Sequence, residues 1–224
     1  MVFPSPVEAV LLDMDGTLLD TEQVYVGAMF GALVELGFAV PDALASAMVG
    51  LPGKECMGLL QGHFGAAFRA DAFHAAYVAQ RTERLRDGIP LKPGVIELLD
   101  HLAAAGLPTA VATSSSRSNA ETNLGRAGLL ARFGAVVTRD DVVQGKPDPA
   151  LFLKAAAALG RPPGRCVAVE DSHVGVRAAH AAGTMPVMVP DMLPPNEEMR
   201  RICVAIAGDL HEVRALLALK VSVD

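Results

Sequence analysis

Asp13 and Asp15 stand two positions apart and run into Gly16 and Thr17, which places two carboxylates, a bend and a small hydroxyl within five residues. This combination suits phosphate chemistry assisted by a hard cation. Mg²⁺ takes one or two carboxylates and leaves its other positions to water and substrate phosphate, and a carboxylate close to phosphorus can act as a nucleophile. Asp and Gly are also ordinary turn residues, so this stretch alone fits a strand-end turn equally well. The two readings separate only if matching groups recur far along the chain.

They recur three times, as Thr113-Ser114-Ser115-Ser116, as Lys146-Pro147 and as Glu170-Asp171-Ser172. Thr113 can hydrogen-bond a phosphate oxygen, and backbone N–H groups after it, at the start of a helix, can bind others. Lys146 supplies fixed positive charge beside a phosphate and an attacking carboxylate. Each cluster closes or adjoins a short apolar run: 7–12, 109–112, 135–137 and 166–169. Bounded by acid, glycine or hydroxyl residues, such runs read as buried parallel strands. Between them the spacing predicts helices at 18–37, 41–48, 53–64, 68–86, 94–105, up to 127, at 149–159 and up to 182, with Pro93 in the first turn of the helix from 94. Strands at 186–189 and 204–206 finish the series.

The expected fold is therefore α/β, a doubly wound parallel sheet. All strand C-termini in such a sheet lie on one edge, where ligands bind, so the four clusters are expected to converge. Residues 20–88 show no strand pattern and read as an inserted α-helical domain, with 1–19 and 89–224 forming the sheet domain.

Length and composition agree. A chain of 224 residues has room for one large α/β domain with an insert. No apolar run approaches the roughly 18–20 residues needed to span a bilayer. The N-terminus has no basic region, the first cation being Lys54, which argues against a secretory signal peptide; the expected protein is soluble and cytoplasmic. Cys56, Cys166 and Cys203 are odd in number and lack ligand spacing; Cys166 and Cys203 read as small core residues in strands. A net charge of −6 with no basic run gives no footprint for nucleic acid or an anionic membrane. The expected state is a monomer or weak dimer.

The ordered set Asp13-x-Asp15-Gly16-Thr17, Thr113-Ser114-Ser115, Lys146-Pro147 and Glu170-Asp171-Ser172 closely resembles the four signature motifs of the haloacid dehalogenase superfamily, in the branch with a helical cap after the first motif. The resemblance covers nearly the whole chain. It implies that Asp13 is the nucleophile and forms an aspartyl-phosphate, and that Asp15 protonates the leaving group and then activates the hydrolytic water. It implies Mg²⁺ held by Asp13, the Asp15 carbonyl and Asp171, with Glu170 as a direct or water-linked partner. Thr113 and Ser114 are then phosphate-binding residues, and Lys146 neutralises charge at the transferring group. Positioning and charge neutralisation are what phosphoryl transfer demands.

Fold does not fix the reaction. Dehalogenases of this superfamily need neither Mg²⁺ nor the second aspartate, and phosphonate-cleaving relatives lack that aspartate and use a cap lysine. Asp15 and Asp171 argue against both, although Lys54 is the one lysine of the insert. The resemblance thus points to a phosphatase acting on a small phosphorylated metabolite of the sugar phosphate, polyol phosphate or phosphoglycolate type. The alternative is a sugar-phosphate mutase similar to β-phosphoglucomutase. This chain departs from the mutases at Tyr25, where they carry histidine, and at Val49-Gly50-Leu51-Pro52-Gly53, where they carry a Lys-Gly-x-x-Arg loop. A binding protein without catalysis would lack the nucleophile or a metal ligand, and neither is missing. Substrate choice is expected from insert residues that close over the cleft, with Glu22, Tyr25, Gly50, Leu51 and Lys54 as candidates by position. Each also has an ordinary structural role open to it, as helix packing for Tyr25 or a helix-start charge for Glu22 and Lys54.

Overall fold

A computed structural model describes residues 3–48, 53–86 and 88–218. The chain divides into two compact units, Met1–Asp20 with Ile89–Asp224, and Thr21–Gly88.

The first unit holds a six-stranded parallel sheet of β1 (Ala9–Leu12), β2 (Thr109–Ala112), β3 (Ala135–Val137), β4 (Cys166–Glu170), β5 (Met185–Met188) and β6 (Ala205–Ile206), ordered β3-β2-β1-β4-β5-β6. The chain order reverses beside β1, so β1 lies between β2 and β4 and pairs with both. A crevice at such a reversal is where open α/β sheets bind ligands.

In the second unit α1 (Thr21–Glu35), α2 (Asp42–Met48), α3 (Gly53–Phe64) and α4 (Ala70–Arg84) build a separate helical core. Ala32, Leu33, Leu44, Leu60, Phe68 and Phe73 are buried together, with Phe38 and Phe64 rings 4.5 Å apart at its margin. The remaining helices, α5 (Val95–Ala104), α6 (Arg117–Arg126), α7 (Ala150–Ala158), α8 (His173–Ala181), α9 (Glu197–Ile202) and α10 (Leu210–Ala218), belong to the sheet unit.

Strand periodicity explains the sheet's packing. Alternate residues point to opposite faces, and Leu11 is in register with Ala110 and Ala168. On that face Ala9, Leu11, Ala110, Ala112, Val137, Cys166 and Ala168 form one cluster with Leu151, Phe152, Ala155 and Ala156 of α7 and Ala178 and Ala179 of α8. The small alanines let α7 lie close and leave room for Phe152, which is fully buried. Val10, Leu12, Val111, Val167 and Val169 face the other way and are fully buried too, so both faces are covered.

Several boundaries differ from expectation for local reasons. The first helix begins at Thr21, not 18, because the Leu18 carbonyl accepts the Lys92 N–H and Leu19 bridges Leu91. Pro93 lies outside α5; Gly94, at φ +87°, is the N-cap. Cys203 terminates α9 instead of lying in a strand. Neither α9 nor α10 was expected. Asn196 caps the first by accepting the Met199 N–H at 2.9 Å, and Asp209 accepts the Glu212 N–H at 2.9 Å at the start of the second. Among the described residues no helix is long and apolar enough to cross a membrane.

Phe152→Ala removes the largest side chain of the α7–sheet interface and should destabilise the fold by about 3–5 kcal/mol in urea denaturation. Val143→Ala, at a residue 97% exposed, should change stability by less than about 0.5 kcal/mol.

Candidate active site

The strand ends do meet. Asp13 follows β1 and donates its N–H to the Val169 carbonyl of β4 at 3.0 Å; Thr113 follows β2 and donates to the Val137 carbonyl of β3 at 2.9 Å. Glu170 is the last residue of β4, and Asp171 comes next. Backbone pairing of the strands therefore sets these residues along one rim, with no help from the side chains themselves.

Lys146 arrives from the loop between β3 and α7. Its side chain is only 5% exposed, its ammonium bonds both Asp13 Oδ1 and Glu170 Oε1, the latter at 2.5 Å, and it lies 5.1 Å from the Phe152 ring centroid. Burial acts to lower the lysine's pKa, but the charges and hydrogen bonds of Asp13 and Glu170 outweigh it, so the group is held above the ordinary lysine range and stays cationic.

Glu170 is saturated. Its Oε2 accepts from the Asp171 N–H at 3.1 Å, the Ser172 N–H at 3.0 Å and the Ser172 hydroxyl at 3.0 Å, while Oε1 takes Lys146. The carboxylate is thereby seated at the N-terminus of α8, where backbone donors favour negative charge. Asp171 has a different environment. Its Oδ1 accepts from the Thr17 hydroxyl at 3.1 Å, and burial, followed by the charges of Glu170 and Asp13, pushes its pKa up to about 9. Burial raises Asp13 as well, Lys146 opposing. Gly16 has φ +85°, and a Cβ there would lie 2.6 Å from Asp171 Oδ2; no other residue type suits both the turn and the space.

Asp15 Oδ2 accepts a 2.7 Å hydrogen bond from the Ser115 hydroxyl. Ser115 also donates its N–H to Thr113 Oγ1 at 3.0 Å and accepts the Arg139 N–H at 3.0 Å. The Ser115 contact was not foreseen as a site feature, although it belongs to the same hydroxyl-rich motif. Thr113 is buried and Ser114 exposed; Ser116 caps α6 by accepting the Asn119 N–H. Arg117 points away into ion pairs with Asp141 at 2.6 Å and Glu121 at 3.0 Å.

The insert candidates fare differently. Glu22 and Lys54 fall in α1 and α3, with side chains outside the described residues, and Gly50 and Leu51 lie outside the described residues altogether. Tyr25 is described, with the Arg81 guanidinium 6.0 Å from its ring centroid.

Among the described residues, no group of three or more His, Cys, Asp or Glu side chains is arranged to hold a metal ion by itself. The reason is visible in the two acids turned elsewhere, Glu170 toward Lys146 and Asp15 toward Ser115. The donors that the resemblance implies for a small hard cation, Asp13 and Asp171 with the Asp15 carbonyl, number the one or two carboxylates that Mg²⁺ takes. Two buried acids whose pKa values are raised first by burial and further by neighbouring carboxylates, Glu170 in both cases, form the electrostatic environment that a divalent cation relieves.

Residues 7–183 match the family described as haloacid dehalogenase-like hydrolase. Hexitol phosphatase A of Escherichia coli is 37% identical over 183 residues, covering 80% of this chain and 81% of that protein. The bifunctional riboflavin kinase/FMN phosphatase of Arabidopsis thaliana is 31% identical over 206 residues, covering 92% of this chain; the chain spans 54% of that longer protein. A crystal structure of a hydrolase of the same family from Deinococcus radiodurans R1, with bound phosphate and sodium, superposes with a TM-score of 0.80 at 29% identity, covering 96% of each chain.

The raised pKa of Asp171 has a thermodynamic consequence. In the metal-free protein its proton is retained to about pH 9, whereas an unfolded Asp releases it near pH 3.9. The unfolded state binds fewer protons in that window, so stability falls as pH rises through it. With EDTA present, the melting temperature should fall between pH 6 and 9, and Asp171→Asn should flatten that slope. Mg²⁺ should raise the melting temperature by several degrees at pH 9, corresponding to a few kcal/mol, and by less at pH 6. Differential scanning fluorimetry checks all three.

Proposed function

Since the chain belongs to the haloacid dehalogenase-like hydrolases, we propose that it is a Mg²⁺-dependent phosphomonoesterase for a small phosphorylated metabolite, working through an aspartyl-phosphate on Asp13. The observation that carries this reading is the pairing of Asp13 with a buried, permanently cationic Lys146 beside two further acids with different surroundings. The phosphatase names of two relatives and the phosphate bound by a structural neighbour support the same substrate chemistry.

In the proposed reaction an Asp13 carboxylate oxygen attacks phosphorus and the bond from phosphorus to the ester oxygen breaks. Lys146, fixed on Asp13 Oδ1, keeps that carboxylate oriented, opposes the rise that burial gives its pKa and offsets charge on the transferring group. Asp15 gives a proton to the departing alkoxide. It then accepts a proton from water, which attacks phosphorus, releases inorganic phosphate and regenerates Asp13. Ser115, donating to Asp15 Oδ2, orients the group that performs both transfers. Thr113, whose Oγ1 already accepts the Ser115 N–H, keeps its own proton for a phosphate oxygen. Asp13, Asp171 and the Asp15 carbonyl would hold Mg²⁺, which supplies neutralisation of the phosphate's charge when bound.

With 5 mM-scale Mg²⁺, p-nitrophenyl phosphate and a panel of sugar, polyol and two-carbon acid phosphates should release inorganic phosphate. EDTA should abolish release, and Asp13→Asn should lower kcat by about 10³-fold or more. Interconversion of hexose 1- and 6-phosphates without phosphate release would show the mutase instead. Release that survives complete removal of metal, or that persists in Asp13→Asn, would overturn the proposal.

A further inference from the structure

Gly175 occupies the third position of α8 and is buried. Its backbone is helical, so the usual conformational reason for glycine is absent, and alanine is the better helix former. Space supplies the reason. A Cβ built on Gly175 would lie 1.8 Å from Glu170 Oε1, 1.9 Å from its Cδ and 2.2 Å from Oε2. The Glu170 side chain thus fills the volume that any other residue at 175 would claim.

A terminal carboxylate can normally swing out of such a clash. This one cannot do so cheaply. Glu170 is 1% exposed, and its oxygens are held by Lys146, the Asp171 and Ser172 N–H groups and the Ser172 hydroxyl. Ser172 is itself anchored by accepting the Gly175 N–H at 3.0 Å. Moving Glu170 breaks its bond to Lys146, and Lys146 is the group that holds Asp13.

We propose that Gly175 is a positioning residue for the reaction: its missing side chain is the seat of the Glu170 carboxylate, through which Lys146 is held against Asp13. The catalytic part of this inference rests on the phosphatase reading above; the structural part stands without it. The coupling predicts that a methyl group at 175 does harm only while the Glu170 carboxylate occupies the seat.

Four proteins decide it: the parent, Gly175→Ala, Glu170→Ala and the double variant, each measured for melting temperature in EDTA and for p-nitrophenyl phosphate turnover in Mg²⁺. Gly175→Ala alone should lower the melting temperature and reduce kcat at least 100-fold. On Glu170→Ala the same change should leave the melting temperature equal or higher, because only helix preference remains, and should alter kcat by less than about twofold. Glu170→Asp, shorter by one methylene but still charged, gives a second background with the same expected loss of harm. If Gly175→Ala does not fold, recovery of folding in either shortened background supports the proposal. Equal penalties with and without the Glu170 carboxylate, or a Gly175→Ala protein indistinguishable from the parent, would overturn it. A parent without phosphate-ester turnover defeats the phosphatase reading instead, and the melting temperatures still decide the seat.

Discussion

One ammonium shared by two buried carboxylates governs the rim of this sheet. Lys146 is almost wholly removed from water, as are Asp13 and Glu170. A buried charge is tolerated when paired and hydrogen-bonded, and removing one partner of such a pair typically costs about 3–5 kcal/mol. The three side chains therefore hold one another in place. The charges along this rim do not balance, however. Asp13, Asp15, Glu170 and Asp171 stand near a single lysine, which leaves negative charge in surplus; burial above all, with neighbouring carboxylates adding to it, shifts Asp13 and Asp171 upward. A cation and the oriented Thr17 and Ser115 hydroxyls are the natural counterparts of that surplus.

The scaffold delivers this arrangement through backbone pairing. Lys146 and Asp13 are 133 positions apart, and Thr17 and Asp171 are 154 apart. A parallel sheet ends its strands on one side, and the strand order puts β1 between β2 and β4, so three of the four motifs come from adjacent strands. The fourth rides a loop anchored by α7, whose Phe152 fills the space beneath the Lys146 ammonium. The same helix that completes the hydrophobic face also supports the charge, which ties activity to packing in the core.

Much of this was legible in the residues. Runs such as Thr109 to Ala112 are short, apolar and bounded by polar groups, and they became strands because a sheet covered on both faces admits little else. The weaker signals failed where tertiary contacts decided. Leu18 and Leu19 look helical in a window but are pulled out by pairing with residues 91 and 92. The α9 and α10 helices are short and begin with Asn196 and Asp209, caps that read equally well as turn residues. Within the site, residue types announced a phosphate chemistry, yet no spacing rule could show that Ser115 would reach Asp15 across 100 positions, or that Glu170 would spend its oxygens on Lys146 and a helix N-terminus.

The most direct test of the role given to Asp13 is chemical trapping of the covalent intermediate. Enzyme quenched with acid during steady turnover of a good substrate, reduced with borohydride and digested, should yield a peptide in which residue 13 has become homoserine, the product of reducing an acyl phosphate. Turnover without any homoserine at that position, or with the modification on a different carboxylate, would contradict the account.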